Sequence, residues 1–119
     1  MANPFGVERL IQEAYRILDQ KKAEDIVALD LRGVSDSLDY FLIATATSTP
    51  HLEALERAVR DGLEAMGVRP EAVEGPSSRW VLLNYGPLLV HLMSPEARAY
   101  YDLEGLWADA ERVVLKPAV

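Results

Sequence analysis

Two histidines, a few aspartates and one hydroxyl-rich loop are the residues whose types and spacing could do chemistry. His91 lies in LLVHLM. There it could be a general base, a partner contact, or a hydrogen-bonded histidine on a sheet face, and the last role is the commoner one for a lone imidazole. His51 lies in STPHLEALE, with Leu55 at the i+4 position where a second helical ligand would stand. With Glu53 or Glu56 it makes no recognised metal spacing, so no metal site is expected. Asp36 and Asp39 could act as an acid–base pair, but Asp36 and Ser37 are better read as organising the turn before a strand. Asp30 stands alone on its strand, whereas magnesium-assisted phosphoryl transfer needs acids in pairs. Thr45-Ala46-Thr47-Ser48-Thr49 concentrates hydroxyls before a helix, which suits an anion or simply an N-cap; the cap is favoured, because every helix must satisfy its first N–H groups. Neither G-x-x-x-x-G-K-S/T nor G-x-G-x-x-G occurs, so no phosphate-cradling loop is visible. The chain has no cysteine, which removes disulfides, thiolate nucleophiles and cysteine-held zinc.

These residues must be positioned by a small set of elements. Residues 7–20 carry Val7, Leu10, Ile11, Ala14, Ile17 and Leu18 at helical spacing, with polar residues opposite. IVALDL (26–31) and YFLIATA (40–46) are short, nearly continuous apolar runs, which predict a hairpin buried on both faces and central in its sheet. Thr49 is the expected N-cap and Pro50 the first residue of a helix reaching about Met66, with Gly67 as its stop. Residues 68–73 could form an edge strand, weakened by Pro70. WVLLN (80–84) and LLVHLM (88–93) flank Tyr85-Gly86-Pro87 and predict a second hairpin. Ser94-Pro95 starts a helix over 95–101, and a last helical piece is expected over 104–113. A helix between the two hairpins requires a crossover, expected to be right-handed. The sum is an α+β (α/β mixed) domain: a mixed β-sheet of about five strands flanked by helices.

Composition bounds the function. The 119 residues fit one domain, 1–119, with its core over about 7–113, large enough to need no metal or cross-link. Lys and Arg number 12 against 19 Asp and Glu, a formal charge of −7. Such a chain binds phosphate backbones poorly and suits a basic protein partner. The N-terminal stretch carries acids among its apolar residues, unlike a signal peptide, and no segment approaches a membrane span, so a cytoplasmic location is expected. The aromatics are the more informative surface signal. Trp80 and Tyr85 both flank turns and are the better candidates for a binding face, while Trp107 and one of Tyr100 and Tyr101 are expected to close the core.

Four segments in register, KKAEDIVALDLRG, DYFLIATATS, VEGPSSRWVLLNYGPLLVHLM and YYDLEGLWADA, resemble the ribosomal silencing factor (Iojap-related) family. The resemblance runs from about Leu18 to Ala110. It implies a nucleotidyltransferase-like sheet without catalytic acids, no enzymatic activity and no cofactor. It also implies a translation repressor that binds the large ribosomal subunit through large ribosomal subunit protein number fourteen, on the intersubunit side, and sterically blocks joining of the small subunit. No sequence-specific nucleic-acid contact and no membrane enter that picture. Carried over by motif, the partner-binding residues would be Trp80, the preceding Glu74 and Gly75, and the hairpin Asn84, Tyr85, Gly86 and Pro87. That hairpin usually reads D-x-G-D, and both acids are absent here. The family's T-G-x-S is Thr45-Ala46-Thr47-Ser48, with alanine for glycine, and the loop before Trp80 is one residue short. Two alternatives stand beside this reading. One is a small nucleotidyltransferase-like or phosphate-transferring enzyme using Asp30, Asp36, Asp39 and His91; the other is a homodimer that pairs its aromatic patch with itself.

Overall fold

The computed structural model describes residues 6–74, 77 and 79–116. Helix α1 (Val7–Gln20) leads into the antiparallel pair β1 (Glu24–Asp30) and β2 (Tyr40–Thr45). Helix α2 (Thr49–Glu64) follows, then β3 (Ala72–Glu74), β4 (Trp80–Asn84) and β5 (Leu88–Met93). The chain closes with α3 (Pro95–Tyr101), the single turn α4 (Leu103–Leu106) and β6 (Glu111–Val113). The sheet order is β3-β4-β5-β2-β1-β6. β2 and β5 pair in parallel, Ile43 opposite His91, and the other neighbours are antiparallel. α2 is the crossover that makes the parallel pairing possible.

Alternation along the strands sorts the core into two layers. On one face Ala28, Tyr40, Leu42, Ala44, Val81, Leu83, Leu88, Val90 and Leu92 meet the apolar stripes of α1 and α2. The two helices pack tightly at Gly62, where an added Cβ would meet Ile17 Cδ1. On the other face, among the described residues, Leu29, Phe41, Ile43 and Met93 pack with Ala97, Leu103 and Trp107 of the C-terminal segment and with Leu31 and Leu38 of the loop after β1. β2, buried along its whole length, and β5 form the centre, as two continuous apolar runs require.

Among the described residues the sheet has six strands where about five were expected. Residues 111–113 pair antiparallel with β1, Leu29 opposite Arg112, instead of continuing a helix over 104–113. Pairing with the free edge of β1 extends the ladder and packs Val113 against the main core layer. Asp102 ends α3 in the left-handed region (φ 44°) and caps the start of α4, its carboxylate accepting from Gly105 N–H. Gln12 then ties the C-terminal segment to α1, donating to Val114 O and accepting from Lys116 N–H. Ser48, rather than Thr49, caps α2 by accepting from His51 N–H, and Ser94 caps α3 as expected. The edge strand lies at 72–74, beyond Pro70, because a residue without an N–H cannot join the ladder.

Candidate functional site

The thinly covered face of the sheet carries a file of aromatic rings. Tyr100 meets Tyr101 edge-on at 5.0 Å, Tyr101 meets Trp80 at 4.6 Å, and Trp80 meets His91 at 5.8 Å. His91 meets Phe41 at 4.4 Å, and Phe41 meets Trp107 at 6.5 Å. Exposure falls along the file: Tyr100 is 80% exposed and Tyr101 50%, Trp80 is half-buried, and His91 and Phe41 are buried at 4% and 5%. Trp80 therefore joins an exposed aromatic rim to the core. Beside it an open cleft of about 490 Å³ is lined by Glu74, Ser77, Arg79, Trp80, Leu82 and Tyr101.

Local structure fixes each wall. Trp80 opens β4 because Ser77 Oγ accepts from both Arg79 N–H and Trp80 N–H. Arg79 O accepts from Ser94 N–H, which pins this entrance to the start of α3. Glu74 reaches the cleft because β3 pairs with β4, Glu74 opposite Leu82. Arg98 locks α3 to the sheet, donating Nη1–H to Thr45 Oγ1 at 2.8 Å and Nε–H to Glu104 Oε1 at 2.9 Å. That clamp holds Tyr101 over Trp80.

His91 has a definite role here. The indole Nε1–H of Trp80 donates to His91 Nδ1 at 3.2 Å. An indole nitrogen only donates, so His91 is neutral with its proton on Nε2. Burial pushes the imidazole down to about 4, and Nε2 is buried without a hydrogen-bond partner among the described residues.

Trp80 and Glu74 lie together on the cleft, and Gly75 falls outside the described residues. The hairpin residues stand at the far end of β4, about 13 Å from Trp80 at roughly 3.3 Å per residue. They build the turn: Asn84 Oδ1 accepts from Gly86 N–H, Gly86 is left-handed at φ 82°, and Pro87 O accepts from Tyr40 N–H. Tyr85 corrects the expectation of an exposed aromatic. It points to the α1–α2 side, is 4% exposed, and its hydroxyl is pushed up to about 12 by burial. Alternation is the reason: an odd step from Trp80 carries Tyr85 through the sheet. Tyr100 and Tyr101 correct it the other way, since neither closes the core. The residue that α3 buries is Ala97, and both rings extend the exposed rim beyond Trp80 instead. Trp107 does pack into the second core layer, as expected.

The residues of the enzyme reading are occupied otherwise. Asp30 accepts from Arg32 Nε–H and Nη2–H at 3.0 and 2.8 Å, and these bonds hold its carboxyl below the usual carboxylate range. Asp36 is exposed; Ser35, not Asp36, organises that turn by accepting from Ser37 N–H and Leu38 N–H. Asp39 contributes its carbonyl to Leu31 N–H. His51 accepts from Thr47 N–H on Nδ1 and donates from Nε2 to Lys21 O, clasping the start of α2 to the end of α1. Among the described residues no three of His, Cys, Asp and Glu are grouped to hold a metal, and no helix is long and apolar enough to cross a membrane.

Residues 4–119 match the family described as "Ribosomal silencing factor during starvation". The chain is 39% identical over 102 residues to the Bacillus subtilis protein named "Ribosomal silencing factor RsfS", covering 85% of this chain and 86% of that one. It is 31% identical over 110 residues to the mouse protein named "Mitochondrial assembly of ribosomal large subunit protein 1", covering 89% of this chain and 48% of that one. Its fold is similar to a crystal structure of a Chromobacterium violaceum protein, with TM-score 0.83 and 30% identity over 96% of this chain and 92% of that one.

Proposed function

The chain belongs to the ribosomal silencing factor family, with the ribosome-associated silencing role that membership carries, and from that premise we propose that it docks on the large ribosomal subunit and blocks joining of the small subunit by occupying the space between them. The docking face is the Trp80–Tyr101 cleft. The observation that carries this reading is a half-buried tryptophan at the head of an exposed aromatic rim, held from beneath by the core. Tryptophan and tyrosine so presented give large contact area at little entropic cost. The net charge of −7 and Glu74 on the cleft favour a basic partner, as a ribosomal protein on the intersubunit side would be, and large-subunit protein fourteen is the partner this reading names. The mouse relative's name points to the same subunit. In this reading Trp80, Tyr101 and Glu74 touch the partner, whereas Asn84, Tyr85, Gly86 and Pro87 shape the far turn. The mechanism is occlusion by a rigid body in the cytoplasm and needs no cofactor and no bond-making.

Titration of the Trp80→Ala variant against purified large subunits tests it. A buried tryptophan anchor costs about 2 kcal/mol or more on truncation, which is roughly a 30-fold loss of affinity. Unchanged affinity in a folded Trp80→Ala protein would remove Trp80 from the docking face.

A further inference from the structure

The Trp80 indole is the largest ring on the cleft, and a ring at a docking face binds well only if its orientation is set before the partner arrives. Trp80 is half-buried and sits at the first position of β4, so strand pairing alone leaves its side chain free to turn about two torsions. Beyond its packing against the second core layer, two ring contacts among the described residues orient it. Tyr101 lies against one side at 4.6 Å with planes inclined by 49°, a contact that is itself half in solvent. The other contact is directional and part-buried: the hydrogen bond from Nε1–H to His91 Nδ1 at 3.2 Å, with the imidazole held by the edge of Phe41 at 4.4 Å. His91 lies on β5 opposite Leu82, one diagonal step from Trp80, which pairs with Met93. The register of the β4–β5 hairpin therefore places acceptor and donor together on the same face.

We infer that His91 is a positioning residue for docking: its Nδ1 fixes the orientation of the Trp80 indole, so that the cleft presents one preformed aromatic wall to the partner. The cost the fold bears points the same way. His91 sits in the central sheet at 4% exposure with Nε2 unpartnered among the described residues, where a leucine would fill the layer at no polar cost. Among the described residues the one side-chain hydrogen bond of His91 is to the indole. Burial keeps the imidazole neutral down to about pH 4, so Nδ1 remains an acceptor throughout the neutral range. The inference rests on the proposed docking of Trp80 and adds what holds it in place.

The test compares His91→Leu, which removes the acceptor, with His91→Asn, whose side-chain oxygen falls near the position of Nδ1. Affinity for purified large subunits should fall about three- to tenfold in His91→Leu and return to within about twofold of native in His91→Asn. In a Trp80→Ala background, His91→Leu should cause no further loss. The indole N–H resonance of Trp80, identified by its disappearance in Trp80→Ala, should exchange slowly with solvent in the native protein and in His91→Asn, and rapidly in His91→Leu. Native affinity in Trp80→Ala overturns the docking reading and this inference with it. Weak binding by Trp80→Ala beside native affinity in His91→Leu overturns the inference alone, as does a further loss from His91→Leu when Trp80 is already absent. Should His91→Leu fail to fold, the native protein decides: an indole N–H that exchanges at the rate of free indole overturns the inference, and a protected one supports it.

Discussion

Acid should destabilise this protein through His91, by an amount the structure sets. The unfolded chain takes up a proton on this imidazole near pH 6.5, the folded chain only near pH 4. Between those values the unfolded state holds more protons, so stability falls as the pH falls from 6.5 to 4, and this group contributes no further loss below. The cause is burial. A protonated ring would stand at 4% exposure in the central sheet, with a new Nδ1–H facing the indole N–H that now donates to it. At roughly 1.4 kcal/mol per pH unit the displacement is worth about 3 kcal/mol. Urea unfolding of the native protein and of His91→Leu, from pH 7.5 to pH 4, isolates this group from the carboxylates that titrate in both. The native protein should lose about 3 kcal/mol more than the variant over that range, while the two should lie within about 1 kcal/mol of each other at pH 7.5, because leucine removes the orphaned Nε2–H. Parallel stability curves for the two proteins would refute the assignment of His91 as a buried neutral acceptor.

Further outcomes follow from single contacts. Tyr85→Phe removes a buried hydroxyl with no partner among the described residues; it should leave stability unchanged or raise it by up to about 1 kcal/mol in urea, and leave ribosome binding untouched. Ser48→Ala deletes the acceptor for His51 N–H and should cost about 1 kcal/mol in thermal or urea unfolding. Gly62→Ala should stabilise a helix by up to about 1 kcal/mol, but here its Cβ would meet the terminal Cδ1 of Ile17; a net change within about 1 kcal/mol is expected, and a full gain would show that Ile17 turns its methyl aside without cost.

Where local patterns decide, the fold was legible. The continuous apolar runs of β1 and β2, the hairpin around Tyr85-Gly86-Pro87 and the serine–proline start of α3 follow from residue type and spacing. β6 was not legible, because a three-residue strand exists only by virtue of the open edge it joins. The site divides similarly. Trp80 could be singled out from sequence because it opens a strand after a polar stretch. Tyr85 could have been set apart from it by parity alone, since 80, 82 and 84 share one face and 81, 83 and 85 the other. Tyr101 becomes a wall of the cleft through long-range contacts such as the Arg98–Thr45 bond across 53 residues, and His91 meets Trp80 through the strand register. Neither long-range contact leaves a local trace.

Sedimentation of the protein with separated large and small ribosomal subunits, followed by mixing of the two, tests the central claim most directly. The account predicts that the protein travels with the large subunit alone, that fewer joined ribosomes form as its concentration rises, and that Trp80→Ala loses both effects together. Free protein at the top of both gradients, or full joining with the large subunit saturated, would contradict it.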